Sequence, residues 1–319
     1  MGSSMIVALL SASVLGFTAA VPPARRAVVV TTDCGAGFDD QWALAHLALS
    51  PEFDLRGVVT THAPNLASPA AETSARAARE LLGRLPLDVR PRVLAGSSRP
   101  LAEPSRPLAN PGVAFLIEQA RGRSSTERLT VVVLGAATDV ASALLIEPTL
   151  ADRMEIVAMG FEAWPGGKDP WNVKNDVRAW QVLLRSRAPI VVGDAAVCQR
   201  LLTMTRTRAH ALLDGLGSPA PDLVALLEGW LARNARLAEE TTGSPDTCSI
   251  WDEVTVAYLR GLTRSETHPR PALRDDLTFD HTQARGTITW VTSVDADRLW
   301  ADLARKVGRV PHAPSPPHR

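Results

Sequence analysis

The stretch AVVVTTDCGAGFDDQWALAHLALSP, residues 27–51, decides the fold. Val28 to Thr32 is a run of β-branched residues, which suits a pleated, buried strand. The run ends on Asp33. A turn with two glycines, Gly35 and Gly37, follows, and Asp39 and Asp40 then open an amphipathic helical pattern. Strand, turn and helix succeed one another within 25 residues, and three acids gather at the junction. Carboxylates crowded at one point need a positive charge among them.

The same alternation continues outward. Short apolar runs at Ala27–Thr32, Leu55–Thr60, Leu129–Leu134, Met154–Met159 and Pro189–Val192 read as strands. Helical patterns separate them at Asp39–Leu49, Ala70–Leu82, Val113–Gln119, Val140–Leu145 and Asp176–Ser186. Strands spaced by helices are βαβ units, and continuous apolar strands are buried on both faces. The expected fold is therefore α/β, a Rossmann-like, mostly parallel sheet flanked by helices. Beyond Leu201 the pattern is mostly helical, at Pro221–Leu237 and Trp251–Leu262. A β-like TFDHTQARGTITWV and a last helix, Asp295–Val307, close the chain.

In open sheets of this kind ligands bind beyond the carboxyl ends of the strands. Asp33 and the Asp39–Asp40 pair follow the first strand, His62 and Asn65 the second, Thr138 the third, and GFEAWPGGKDPWNVKND the fourth. An acidic pair at a helix start also complements the helix dipole, so Asp39 and Asp40 alone would fit a solvated surface. Asp252 argues for more: it interrupts the hydrophobic stretch SIWDEVTVAYL and needs a partner if buried. Several carboxylates with backbone carbonyls make the donor set of a hard divalent cation, Ca²⁺ in particular. Adjacent helical residues diverge by about 100°, so Asp39 and Asp40 are expected to serve different ligands.

Four segments, in order, resemble the inosine-uridine preferring nucleoside hydrolase family. TTDCGAGFDDQWALAHL is similar to its Asp-x-Asp-Pro-Gly-x-Asp-Asp signature. LGAATDVASALLIEP resembles its Leu-Gly-Pro-Leu-Thr-Asn segment, WNVKNDVRAWQVLLRS its Phe-Asn-x-x-x-Asp segment, and IWDEVTVAYL its His-Asp-Pro-x-x-Val-Ala-Tyr-Leu segment. The resemblance implies a nucleoside hydrolase fold and calcium-dependent cleavage of the N-glycosidic bond of ribonucleosides or related ribosides, as in purine and pyrimidine salvage. It implies Asp33, Asp40, Asp252 and the backbone carbonyl of Thr138 as metal ligands, with Asp39, Asn65 and Asn172 holding the sugar. The expected partner is a small nucleoside or riboside, and the family commonly assembles into oligomers.

The chain also departs from the family. Aligned without gaps, Asp33 matches the first signature Asp, and Gly35 falls where the second stands, a calcium ligand and the base that activates water. Either Asp33 takes over as catalytic base from a remodelled turn, or the base is gone and the chain is a non-catalytic nucleoside or sugar binder. Trp251 replaces a histidine that can protonate the leaving base; it either stacks on the substrate or anchors a helix in the core. Pro170 replaces a glutamate that would contact the sugar, which leaves room for another glycoside. His62 is expected to make a loop hydrogen bond rather than act as general acid.

Composition sets the remaining bounds. Of 319 residues 45% are apolar, enough for one large core, and Lys+Arg and Asp+Glu both number 34, so no net charge invites nucleic acid. Cys34, Cys198 and Cys248 have no metal-ligand spacing and read as unpaired thiols. Residues 26–308 are expected to form the domain. Residues 1–25 contain MIVALLSASVLGFTAAV, too short for a membrane span and similar to a signal-peptide core, yet without a basic start. Export, with no membrane association of the mature form, is one expectation; a cytoplasmic protein with an N-terminal extension is the other. Residues 309–319 read as a disordered Pro-rich tail.

Overall fold

The computed structural model describes residues 25–169 and 171–309. The leader-like segment Met5–Val21, Pro170 and the tail from residue 310 lie outside the described residues.

Val28, Val29 and Val30 have no exposed surface, as a strand covered on both faces requires. They belong to β1 (Arg26–Thr32), which pairs in parallel with β2 (Phe53–Thr60) on one side. On the other side it pairs in parallel with β4 (Leu129–Val133). β3 (Arg92–Ala95) extends the sheet beyond β2, while β5 (Met154–Met159) and β6 (Ile190–Gly193) follow β4. The strand Thr287–Val294 adds in parallel to β6, and Thr263–Pro269 closes that edge antiparallel. The order is thus β3-β2-β1-β4-β5-β6 and then the two late strands.

Strand order reverses between β1 and β4, because the chain builds outward from β1 in one direction and then returns to its other side. The crevice opened at such a reversal is where α/β sheets bind ligands. Here it lies between the ends of β1 and β4, so Asp33 and Leu134 border it from the two sides.

Two apolar layers cover the sheet. One gathers Trp42, Leu44 and Leu47 of the helix α1 (Asp39–Ala48) with Trp300 and Leu303 of the last helix. The other gathers Val113 and Phe115 of the helix Pro111–Arg121 with Val140 of Thr138–Ile146 and Trp180 of Val177–Arg185. The three cysteines are buried and unpaired. Among the described residues no helix is long and apolar enough to cross a membrane.

Two expectations are corrected in detail. The helix expected over Pro221–Leu237 is two, Ala220–Arg233 and Ala235–Thr242, broken at Asn234, whose φ of −127° leaves the helical range. The β-like TFDHTQARGTITWV forms only a two-residue strand, Phe279–Asp280, before a 3₁₀ turn at His281–Gln283 and the strand Thr287–Val294.

Candidate active site

Asp33 stands immediately after β1, one residue past a strand whose hydrogen bonds to β2 and β4 fix its direction. Its carboxylate lies against the backbone of Gly135: a Cβ there would approach Asp33 Oδ1 to 2.5 Å. Glycine at 135 is therefore what lets this carboxylate sit at the end of β4. Asp39 and Asp40 begin α1, and Asp252 directly precedes the helix Glu253–Leu259. One oxygen each from Asp39, Asp40 and Asp252 lie within 4.8 Å of one another. Thr32 Oγ1 donates to Asp40 Oδ1.

The electrostatics follow from that crowding. Burial first, and then the charge of Asp39, push the Asp33 carboxyl up to about 7. Burial pushes Asp39 up to about 6. Asp40 and Asp252 are raised well above the usual carboxylate range by burial and by the other acids. Among the described residues no Lys, Arg or His forms a salt bridge with any of the four. Four desolvated carboxyls with oxygen donors only are a poor arrangement for themselves and a suitable one for a hard divalent cation.

Gly35 does not leave a gap in this cluster. It adopts φ +94°, and a Cβ built on it points at Ala77 Cβ, 3.2 Å away, and Leu66. The five residues Cys34–Phe38 form a looped turn, and Asp33 lines the same cavity as Asp39 and Asp40.

The structure brings most of the expected residues to one cavity of about 660 Å³. Asn65 lines it and donates from Nδ2 to the Ala36 carbonyl at 2.8 Å. Asn172 donates to the carbonyls of Leu134, at 2.7 Å, and Met159, at 3.2 Å, which ties the end of β4 to the end of β5. Trp251 also lines the cavity, edge-on to Trp230 with ring centres 6.1 Å apart. Thr138 is not among its lining residues. Its hydroxyl donates to Asp176 at 2.7 Å and meets His62 Nε2 at 3.1 Å. At the foot of β4 the cavity is lined by Leu134 instead. His62 makes the expected loop hydrogen bond, and burial holds its pKa below the ordinary value.

Other lining residues carried no motif. Trp171, half exposed, donates its indole N–H to Asp33 Oδ2 at 3.3 Å. Its place beside Asn172 in the segment after the fourth strand was the available signal. Asp169 folds its loop, accepting from the backbone N–H groups of Phe161, Trp171 and Val173 at 2.9, 2.5 and 3.1 Å. Gln199, Trp230, Arg233, Asn234 and Thr241 form the outer wall from helices that no signature marks.

A carboxylate cluster at the topological reversal of a parallel sheet, opening into a cavity with amide and indole donors, is a site for a polar small molecule. Residues 28–301 match the model of the inosine-uridine preferring nucleoside hydrolase family, and the chain belongs to it. It is an N-glycosidase of the class that hydrolyses ribonucleosides. The chain is 26% identical over 260 residues to the pyrimidine-specific ribonucleoside hydrolase RihA of Klebsiella pneumoniae, covering 73% of this chain and 79% of the relative. Its fold is similar to a plant nucleoside hydrolase, at TM-score 0.71 and 19% identity over 90% of this chain and all of that one. A purine-preferring ribonucleoside hydrolase from Gardnerella vaginalis gives TM-score 0.68 and 20% identity over 89% and 98% of the two chains.

Proposed function

We propose that this chain is a calcium-dependent ribonucleoside hydrolase in which Asp33 is the catalytic base. The observation that carries the reading is the joining of Asp33, Asp39, Asp40 and Asp252 in one cavity with no positive side chain paired to them. Ca²⁺ suits an all-oxygen donor set and, when bound, polarises water and sugar hydroxyls. Asp40 and Asp252 hold the cation, with Asp33 beside them. For the carbonyl donor the Thr138 backbone remains the proposal, because the bond to Asp176 uses only its hydroxyl and the Leu134 carbonyl already accepts from Asn172 at 2.7 Å.

The chain's own groups then divide the work. Asn65 and Asn172 hold the sugar, with Asp39 accepting from a hydroxyl. Asp33, at the water's side, takes a proton as oxygen attacks the anomeric carbon. The oxocarbenium-like transition state carries positive charge on the ring, which the surrounding carboxylates stabilise. Asp33 is oriented for this by the Trp171 indole N–H.

Two observations support catalysis over a non-catalytic binder. Gly35 points away from the cluster, and Asp33 supplies the carboxylate that the gap-free alignment had missing. Pyrimidine-specific relatives support nucleosides as the substrate class. Release of ribose from a panel of purine and pyrimidine nucleosides, with calcium and with chelator, tests the reading. Ribose released only with calcium is expected; release unaffected by chelator, or from no riboside at all, would refute it.

A further inference from the structure

The chemistry of the cavity wall bears on how the leaving group departs. Titratable residues lining the cavity are the clustered Asp33, Asp39, Asp40 and Asp252, together with Asp169 and Arg233. Among the described lining residues there is no His, Cys, Lys or Tyr. Asp169 accepts three backbone N–H bonds and has its oxygens committed. The four clustered acids stand at the strand ends. Gln199, Trp230, Arg233, Asn234 and Trp251 add indoles, neutral amides and one guanidinium to the lining.

An indole is a donor that keeps its proton at all accessible pH values, and a guanidinium stays charged. Neither can hand a proton to a departing nitrogen. Trp251, directly before Asp252, lines the cavity and presents an indole there.

We propose that this site cleaves ribosides whose leaving group departs unprotonated, as an anion held by Arg233 and the amides of Gln199 and Asn234. The proposal rests on the hydrolase reading above. The bond from C1′ to the leaving nitrogen or oxygen breaks with both electrons passing to the leaving group. A water oxygen bonds to C1′ and gives one proton to Asp33. The leaving group departs as an anion and takes its proton from solvent outside the site. Water is divided between ribose and leaving group, and no further reactant is needed. The favoured class is therefore ribosides with acidic leaving groups, such as oxo-pyrimidines and aryl oxides, over basic purines.

The test is a series of kcat/KM values at pH 5–9 for 4-nitrophenyl β-ribofuranoside, phenyl β-ribofuranoside, uridine and adenosine. Positioned general acids contribute about a hundred- to ten-thousandfold. The expected result is that nitrophenyl riboside exceeds adenosine by at least about a hundredfold, with rates following leaving-group acidity and no loss of kcat on the basic side. Trp251→His should narrow that gap at least about tenfold by raising the adenosine rate. Arg233→Gln should depress uridine cleavage in kcat rather than KM. Comparable rates across the series, or a kcat that falls between pH 6 and 9, would reveal a general acid and overturn the inference while leaving the hydrolase reading intact. Failure to cleave even the nitrophenyl riboside would overturn the hydrolase reading itself, and this inference with it.

Discussion

His46 Nδ1 lies 2.9 Å from Glu253 Oε2, and both side chains are fully buried. The contact joins the last turn of α1, which carries Asp39 and Asp40 at its start, to the helix that Asp252 precedes. His46 Nε2 reaches Asp302 at 3.2 Å, so one imidazole links three helices. Glu253 stands where the resembled motif has a proline, and its other oxygen, Oε1, has no partner among the described residues. The mutual placement of Asp40 and Asp252 thus depends on a contact between the last turn of α1 and the residue that follows Asp252.

His46→Ala should be costly on that account. Breaking a buried pair by removing one partner costs about 3 kcal/mol or more, since it strands the other group away from water. The melting temperature should fall by several degrees, and calcium should bind more weakly because the two helix starts lose their common anchor. Calorimetry and calcium titration of the variant check this. An unchanged calcium affinity in a destabilised protein would reduce His46 to a core residue with no bearing on the site.

The cation-free protein should grow less stable with rising pH. The folded-state carboxyls of Asp33 and Asp39 are raised to about 7 and about 6 from an ordinary 3.8. A group raised on folding contributes stability that is complete below its unfolded value and lost as pH climbs through its folded one. The loss should therefore run from about pH 4 to about pH 7. Calcium requires the ionised acids, so its stabilising effect should be larger at pH 8 than at pH 5. At a hundredfold excess over Kd it is worth about 2.7 kcal/mol. Melting curves at both pH values, with calcium and with chelator, decide it; a chelated protein equally stable at pH 5 and pH 8 would count against the crowded-acid description.

Asp252→Ala should abolish calcium-dependent stabilisation with the fold retained. Asp39→Asn separates two roles: its oxygen lies within the three-carboxylate group, yet it is half-buried and faces the cavity. If it binds a sugar hydroxyl, turnover should fall much more than calcium affinity. A calcium loss as complete as that of Asp40→Asn would assign Asp39 to the metal.

How much of this was readable depends on what leaves a mark on residue type. β1, β2, β4, β5 and β6 were legible because buried parallel strands are continuous apolar runs. Edge strands are not held to that pattern. Thr263–Pro269 reads TRSETHP and is largely exposed, and four-residue β3 follows two prolines and an arginine without periodicity. Asp33, Asp39, Asp40 and Asp252 were legible because acids at strand ends and inside apolar stretches are conspicuous. A backbone carbonyl has no such signature, so Thr138 is reached only through the resemblance of its segment. The outer wall was invisible for another reason. Gln199 and Arg233 are ordinary residues on the helices Ala195–Leu201 and Ala220–Arg233, and nothing in their type marks them for the cavity.

The last prediction returns to the turn between β1 and α1. Asp33→Ala should lower turnover by about a hundred- to ten-thousandfold, the scale of a lost general base. Gly35→Asp, which restores the family pattern in a gap-free alignment, should not raise it. At φ +94° any side chain is strained, and its Cβ would press on Ala77 at 3.2 Å, facing away from the acids. A residue held in such backbone costs about 1–3 kcal/mol. The variant should therefore melt earlier and gain no activity, while Gly35→Ala should show most of the same loss of stability without any new carboxylate. Turnover and melting temperature of the three variants check the argument together. Higher turnover in Gly35→Asp would mean that the turn can rearrange to present residue 35 to the water, and that Asp33 had not replaced the base.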